Sequence, residues 1–152
     1  MDLTALLPRQ HVLLHLVGRD RRAILAALTA PLAQDKAVLD MQVFLADLER
    51  REDEITTQMN ATTAFPHTRS TAIARLVLTV GIADAPGLPF SPQTSVCCRL
   101  FFLIGVPFFA PTAHLPLLQR LATFAQNEQV VAKLLAAETP AQAVRCLGAY
   151  KD

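Results

Sequence analysis

Apolar positions along the chain recur at two different periods, and those periods divide it into strands and helices. His11 to Val17 is a short apolar run ended by Gly18, with β-branched Val12 and Val17, and predicts a strand. Asp20 then offers an N-cap oxygen to a segment in which Ala23, Ile24, Ala27 and Leu28 recur at helical spacing until Pro31. Asp40 stands in the same relation to a second helix. There Met41, Phe44, Leu45 and Leu48 fall at i, i+3, i+4 and i+7, and Glu49, Arg50, Arg51, Glu52 and Asp53 form a charged end.

From Thr56 to Thr71 the periodicity stops. Seven Thr and Ser hydroxyls surround Pro66 and His67, which predicts an irregular polar segment of the kind on which function tends to sit. Ile73 to Ile82 and Val96 to Val106 read as buried strands, separated by the turn-forming Asp84-Ala85-Pro86-Gly87-Leu88-Pro89. The second of them is almost wholly apolar, as a central strand covered on both faces would be, and Phe101, Phe102, Phe108 and Phe109 are expected as core and rim packing. After Pro107 the pattern is helical. Thr112 is positioned to cap a helix carrying Leu118, Leu121, Ala122 and Ala125, and Asn127 to cap another carrying Val131, Leu134 and Leu135. Thr139-Pro140-Ala141-Gln142 is a capping box that opens a last helix, closed by Gly148. Interspersed strands and helices without a repeat imply an α/β layer structure, expected as one domain over residues 1–152.

Composition narrows the function classes. With 52% hydrophobic residues, 18% charged and a formal net charge of +1, the chain is the opposite of a disordered one and carries no basic stripe, so nucleic acid is not an expected partner. A positive mean hydropathy of +0.33 raises the question of a membrane span. The longest uncharged stretch, Leu100 to Gln119, is interrupted by Pro107, Pro111 and Pro116 and is too short in its apolar part to cross a bilayer. The beginning, with Asp2 and no basic region before an apolar run, does not read as a signal peptide, so a soluble cytoplasmic protein without membrane insertion is expected. Cys97, Cys98 and Cys146 are an odd count, and strand neighbours point to opposite faces, which predicts reduced core thiols and no metal clamp.

The sequence contains no Gly-rich phosphate loop, no serine nucleophile elbow and no metalloprotease motif, which leaves the four histidines as the candidates for chemistry near neutral pH. His11 and His15 have the spacing of a metal pair on a helix, but their apolar neighbours favour a strand and a structural role; no cofactor or metal is expected. Ala64-Phe65-Pro66-His67 follows Arg51-Glu52-Asp53-Glu54 and the Thr56-Thr57 pair. This arrangement resembles the active-site region of enzyme IIA of the phosphoenolpyruvate-dependent sugar phosphotransferase system, of the mannitol/fructose and nitrogen-regulatory type. Further likenesses follow in order: Arg19 to Leu25 to the family's first helix, Phe101 to Pro107 to its central strand, and Ala113-His114-Leu115 to the start of the following helix.

The resemblance implies a mixed β-sheet flanked by helices on both faces, the mannitol-type enzyme IIA fold. It implies His67 as phosphoryl acceptor, Arg51 as the phosphate-stabilising arginine and His114 as the second active-site histidine. The histidine phosphocarrier protein would be the donor, and enzyme IIB or a regulated protein the acceptor, in sugar transport or in nitrogen-type regulation. Pro66 restricts Phe65 to extended conformations and so stiffens the approach to His67. The chain departs from the family where glycines before the histidine are replaced by Gln58, Asn60 and Thr62, where an acidic or amide residue is replaced by Ala61, and where the glycine after the histidine is Thr68. An alternative reading therefore stands beside the first: a degenerate regulatory module of the same fold that acts by protein binding without phosphorylation.

Overall fold

β5 (Leu100–Pro107) is buried at all eight positions, and the other strands are arranged about its two edges. Along one edge runs β4 (Val77–Ile82), antiparallel, pairing Leu78 with Ile104 and Val80 with Phe102; β1 (Val12–Leu13) lies parallel on its outer side. Along the other edge β2 (Thr63–Ala64) and β3 (His67–Ser70) follow one another, both parallel to β5. This computed structural model describes residues 3–150, so the ends of the expected domain, Asp2 among them, lie outside the described residues.

Alternation along the strands sorts their side chains onto two faces. Leu100, Phe102, Ile104 and Val106 join Leu78, Val80 and Ile82 in one core. It is covered by α4 (Leu115–Gln126), α5 (Glu128–Leu135) and α6 (Pro140–Ala149), with Leu3 of the short α1 (Leu3–Leu6) at its margin. Phe101, Leu103 and Val77 face the opposite core, closed by Ile24, Leu25 and Leu28 of α2 (Arg21–Thr29) and by Phe44 and Leu48 of α3 (Met41–Glu54). The architecture is the expected α/β one, a mixed sheet with helices on both faces.

Four of the expected caps form. Asp20 Oδ1 accepts from the Ala23 amide at 2.8 Å, Asp40 Oδ1 from Val43 at 3.2 Å, Asn127 Oδ1 from Gln129 at 3.1 Å, and Thr139 Oγ1 from Gln142 at 3.2 Å. Each pairs an amide that the helix itself leaves without a partner. The Gln142 side chain reaches back to the amide of Glu138, one residue before the cap, at 2.7 Å.

Several boundaries differ from the expectation. The first strand shrinks to two residues because His11 closes a 3-10 turn and His15 adopts φ of 55°, which ends the extended run. The strand expected from Ile73 starts only at Val77, and Ile73 itself forms an isolated bridge with Val38. Cys97 and Cys98 precede β5 instead of lying in it, Cys98 bridging Leu88; all three cysteines are free, and burial pushes the Cys98 thiol up to about 12. Thr112 does not cap α4: His114 occupies the N-cap without a side-chain cap bond, and the expected Leu121 and Ala125 are buried together with Leu117 and Phe124, in place of Leu118 and Ala122. Gly148 lies inside α6, where a Cβ would stand 2.8 Å from Thr4 Cγ2, so close packing on α1 explains it better than helix termination. The polar segment expected to be irregular holds both β2 and β3.

Gly105 sets the distance between the sheet and α3, since a Cβ there would meet Val77 Cγ2 at 2.8 Å, Ile73 Cδ1 at 3.1 Å and Phe44 Cζ at 3.1 Å. Gly105→Ala is expected to destabilise the protein by about 1–3 kcal/mol through overpacking, read as a lower urea midpoint with an unchanged slope.

Candidate functional site

The chain reaches His67 through two fixed residues. Phe65 is buried and stacks on Phe102 with ring centroids 5.4 Å apart, while the Pro66 carbonyl accepts from the Ile104 amide at 2.9 Å. His67 then opens β3, opposite Ile104, and its Nδ1 lies 2.7 Å from the Phe65 carbonyl oxygen. A carbonyl only accepts, so Nδ1 carries the hydrogen and donates it. In the neutral ring the lone pair is left on Nε2.

The turn after β5 brings a second imidazole to the first. The Phe108 amide donates to the Ser70 carbonyl at 3.2 Å, which folds the chain back over β3, and His114 arrives at the start of α4 with its ring centroid 5.5 Å from that of His67. Between them and the end of α3 opens a cleft of about 630 Å³, lined in part by Arg50, Arg51, His67, Arg69 and His114, with exposed Phe108 at its rim. Asp47 of α3 accepts from Ser70 Oγ at 2.7 Å and pairs with Arg50, which ties the helix to the end of β3.

Charge in the cleft favours neutral histidines. Burial lowers the His67 pKa from its ordinary value, and the Arg51 and Arg69 guanidinium groups lower it further, against the bond to the Phe65 carbonyl, which raises it. Burial likewise lowers His114, assisted by His67 and Arg69. The neutral form of both rings is thus favoured at neutral pH, in a pocket whose arginines attract an anion.

All three residues singled out from the sequence, His67, Arg51 and His114, line this cleft. Arg51 donates from Nη1 to the Ile55 carbonyl at 2.9 Å, closing the end of α3, and its charge acts on His67 but is not among those acting on His114. Arg69 was not anticipated. Two residues beyond His67 on the same strand, it shares that face by alternation and acts on both imidazoles. The spacing could have signalled it had the segment been read as a strand. His11 and His15 lie away from the cleft: buried His11 is bonded to the Leu78 carbonyl at 3.1 Å and faces Asp35 at 3.5 Å, while exposed His15 pairs with Asp84 at 2.8 Å. Among the described residues no group of three or more His, Cys, Asp or Glu side chains is placed to hold a metal ion, and no helix is long and apolar enough to cross a membrane.

The residues that replace glycine do so without strain. Asn60 Oδ1 accepts from the amides of Thr62 at 2.8 Å and Thr63 at 2.9 Å, so a side chain makes the turn. Gln58, Asn60, Thr62 and Thr68 all keep negative φ; His15 is the non-glycine residue with positive φ among the described residues.

The family model for the phosphoenolpyruvate-dependent sugar phosphotransferase system, EIIA 2, matches residues 5–149. The fructose-specific EIIABC component of Bacillus subtilis is 22% identical over 139 residues, 91% of this chain but 22% of that protein, so the chain spans about a fifth of its length. Among solved structures, the nitrogen regulatory protein IIA-Ntr of Neisseria meningitidis superposes with a TM-score of 0.83 at 21% identity, covering 95% of this chain and 98% of that one. The mannitol IIA of Escherichia coli, solved in complex with phosphorylated enzyme IIB of the mannitol system, gives a TM-score of 0.78 at 14% identity over 95% and 98%. These structural likenesses establish the fold.

The cleft electrostatics give a titration test. By NMR, His67 and His114 are expected to titrate below the ordinary 6.5 of histidine. Arg51→Ala should raise the His67 midpoint, and Arg69→Ala, which removes a charge acting on both rings, should raise His67 and His114 together. Because folding lowers both pKa values, their contribution to stability is full above 6.5 and is lost as pH falls from there through the folded midpoints.

Proposed function

Because the chain belongs to the EIIA type 2 family of the phosphoenolpyruvate-dependent sugar phosphotransferase system, we propose that His67 accepts a phosphoryl group from a phosphohistidine protein and passes it to a second partner. The observation that carries this reading is the bond of His67 Nδ1 to the Phe65 carbonyl at 2.7 Å inside an arginine-lined cleft. It leaves Nε2 as a nucleophile of fixed direction, next to positive charge that suits the incoming group.

The Nε2 lone pair of His67 attacks phosphorus in line with the donor P–N bond; the new P–N bond forms as the old one breaks, and that electron pair returns to the donor's imidazole nitrogen. The hydrogen on Nδ1 stays in place, and the positive charge that develops on the phosphorylated ring strengthens its bond to the Phe65 carbonyl. Phosphoryl transfer asks for alignment and for charge stabilisation at the equatorial oxygens, which Arg51 and Arg69 of the cleft lining would supply. His114, held neutral, offers a polar nitrogen without a further full charge. That balance suits a group that must leave again.

The histidine phosphocarrier protein fits as donor, since it presents the same P–N chemistry. An enzyme IIB fits as acceptor, supported by the solved mannitol complex, and a regulated protein fits by the likeness to IIA-Ntr. The protein would act as one domain in the cytoplasm, with the sugar recognised by another component. The strain-free turn at Asn60 supports retained phosphorylation over the degenerate alternative.

Incubation with phosphoenolpyruvate, enzyme I and the histidine phosphocarrier protein should give an acid-labile adduct that His67→Ala abolishes. Arg51→Ala and Arg69→Ala should each slow labelling by roughly 10²–10³, the scale of losing one positioned donor to developing charge. Labelling of His67→Ala at the wild-type level would refute the site, and a partner bound equally by wild type and His67→Ala without labelling would favour the regulatory module.

A further inference from the structure

Glu52 lies on α3 beside Arg51, yet it points the other way and is only 3% exposed. A carboxylate so buried is costly unless its oxygens are satisfied. Both are satisfied by one residue: Oε2 accepts from the Thr57 amide at 3.0 Å, and Oε1 accepts from the Thr57 hydroxyl. Thr57 is thereby fixed in the segment that follows α3. Its carbonyl accepts from the Phe65 amide at 3.0 Å, and the Phe65 carbonyl is the acceptor for His67 Nδ1 at 2.7 Å. An unbroken series of hydrogen bonds runs from the buried carboxylate to the imidazole.

We infer that Glu52 is a positioning residue that sets the tautomer and direction of the His67 ring through Thr57 and Phe65. The inference rests on the reading of His67 as the phosphoryl acceptor. Orientation of Phe65 is over-determined on its ring side, where it stacks on Phe102, and after it, where Pro66 is bonded to Ile104; its amide is held by Thr57. The peptide carbonyl that receives Nδ1–H is aimed by these contacts. With that acceptor in place the ring keeps its hydrogen on Nδ1 and its lone pair on Nε2, as in carboxylate- or carbonyl-oriented histidines generally. When the carbonyl turns away, the ring reverts toward the Nε2–H form that predominates in free histidine, and the nucleophilic nitrogen is then the one facing the chain.

Burial raises the Glu52 carboxyl from its ordinary value, while the Thr57 bonds and the charges of Arg21 and Arg51 act against that rise. The relay does not need the charge, only two contacts to Thr57. A glutamine can keep both, by accepting from the amide through Oε1 and donating to the hydroxyl through Nε2. Alanine keeps neither.

The test is the imidazole ¹H–¹⁵N spectrum of the full chain at neutral pH, recorded without any phosphoryl donor. Wild type and Glu52→Gln are expected to show His67 with hydrogen on Nδ1. Glu52→Ala is expected to show the Nε2–H form in substantial population and, with phosphoramidate as donor, labelling slower by roughly 10- to 100-fold, the scale of a misplaced nucleophile, with Glu52→Gln staying close to wild type. A folded Glu52→Ala protein with the wild-type tautomer overturns the inference. If Glu52→Ala does not fold, Thr57→Val, which removes one of the two contacts, decides on the same spectrum, and an unchanged tautomer overturns it. Because the spectrum needs no donor, a wild type that cannot be phosphorylated refutes the proposed function alone, while normal labelling with a tautomer indifferent to Glu52 refutes the relay alone.

Discussion

The rest of the structure depends on the hydrogen bonding of β5. All eight of its residues are buried, so its amides and carbonyls have no water to turn to and must find partners along both edges. β4 satisfies one edge by antiparallel pairing. The other edge is completed in pieces: the Thr62 carbonyl takes the Arg99 and Leu100 amides at 2.9 and 3.0 Å, β2 follows, the Pro66 carbonyl takes Ile104, and β3 finishes. A proline stands between the two short strands, where a single uninterrupted ladder would have lost a donor. The interruption places a histidine at the beginning of β3, with its ring toward the cleft.

The cleft is therefore a by-product of completing the sheet. Three segments distant in sequence converge on it: the end of α3, the strand β3 and the turn leading into α4. Each is held by a bond that does not involve the histidines, namely Arg51 to the Ile55 carbonyl, Ser70 to Asp47, and Phe108 to the Ser70 carbonyl. With the frame fixed in this way, the electrostatics follow from composition. Arginines that are always charged surround imidazoles that burial keeps neutral. A site of that kind attracts an anionic group and, in the function proposed for it, would present an uncharged nucleophile to a phosphoryl group.

The loop before His67 shows how one chemistry substitutes for another. Glycine turns by tolerating positive φ; Asn60 turns the chain by accepting two backbone amides on its side chain, and no residue there needs positive φ. The turn before His67 is thus made here by a side chain, at negative φ.

Legibility divided along the range of the interactions. Helices α2, α3, α5 and α6 were readable because their signals are local: an apolar stripe at helical spacing and a capping oxygen three residues before the amide it receives. The apolar run of β5 was readable for the same reason, whereas His67, Arg51 and His114 were singled out through the family resemblance, and the fold brings all three to one cleft. Polar β2 and β3 were not readable, because the β-branched Thr63 and Thr68 are a weak local signal, and what makes these segments strands is the unpaired edge of β5. With that strand unread, the alternation that puts Arg69 beside His67 was invisible, as was the reason Glu52 is buried in a charged helix end. The sequence alone determined which residues could do chemistry and most of the elements that carry them, since propensity, capping and period act over a few residues. The tertiary structure alone decided the distance between two imidazoles, the nitrogen that carries the hydrogen and the neutrality of both rings, because burial and long-range hydrogen bonds exist only once the sheet has closed.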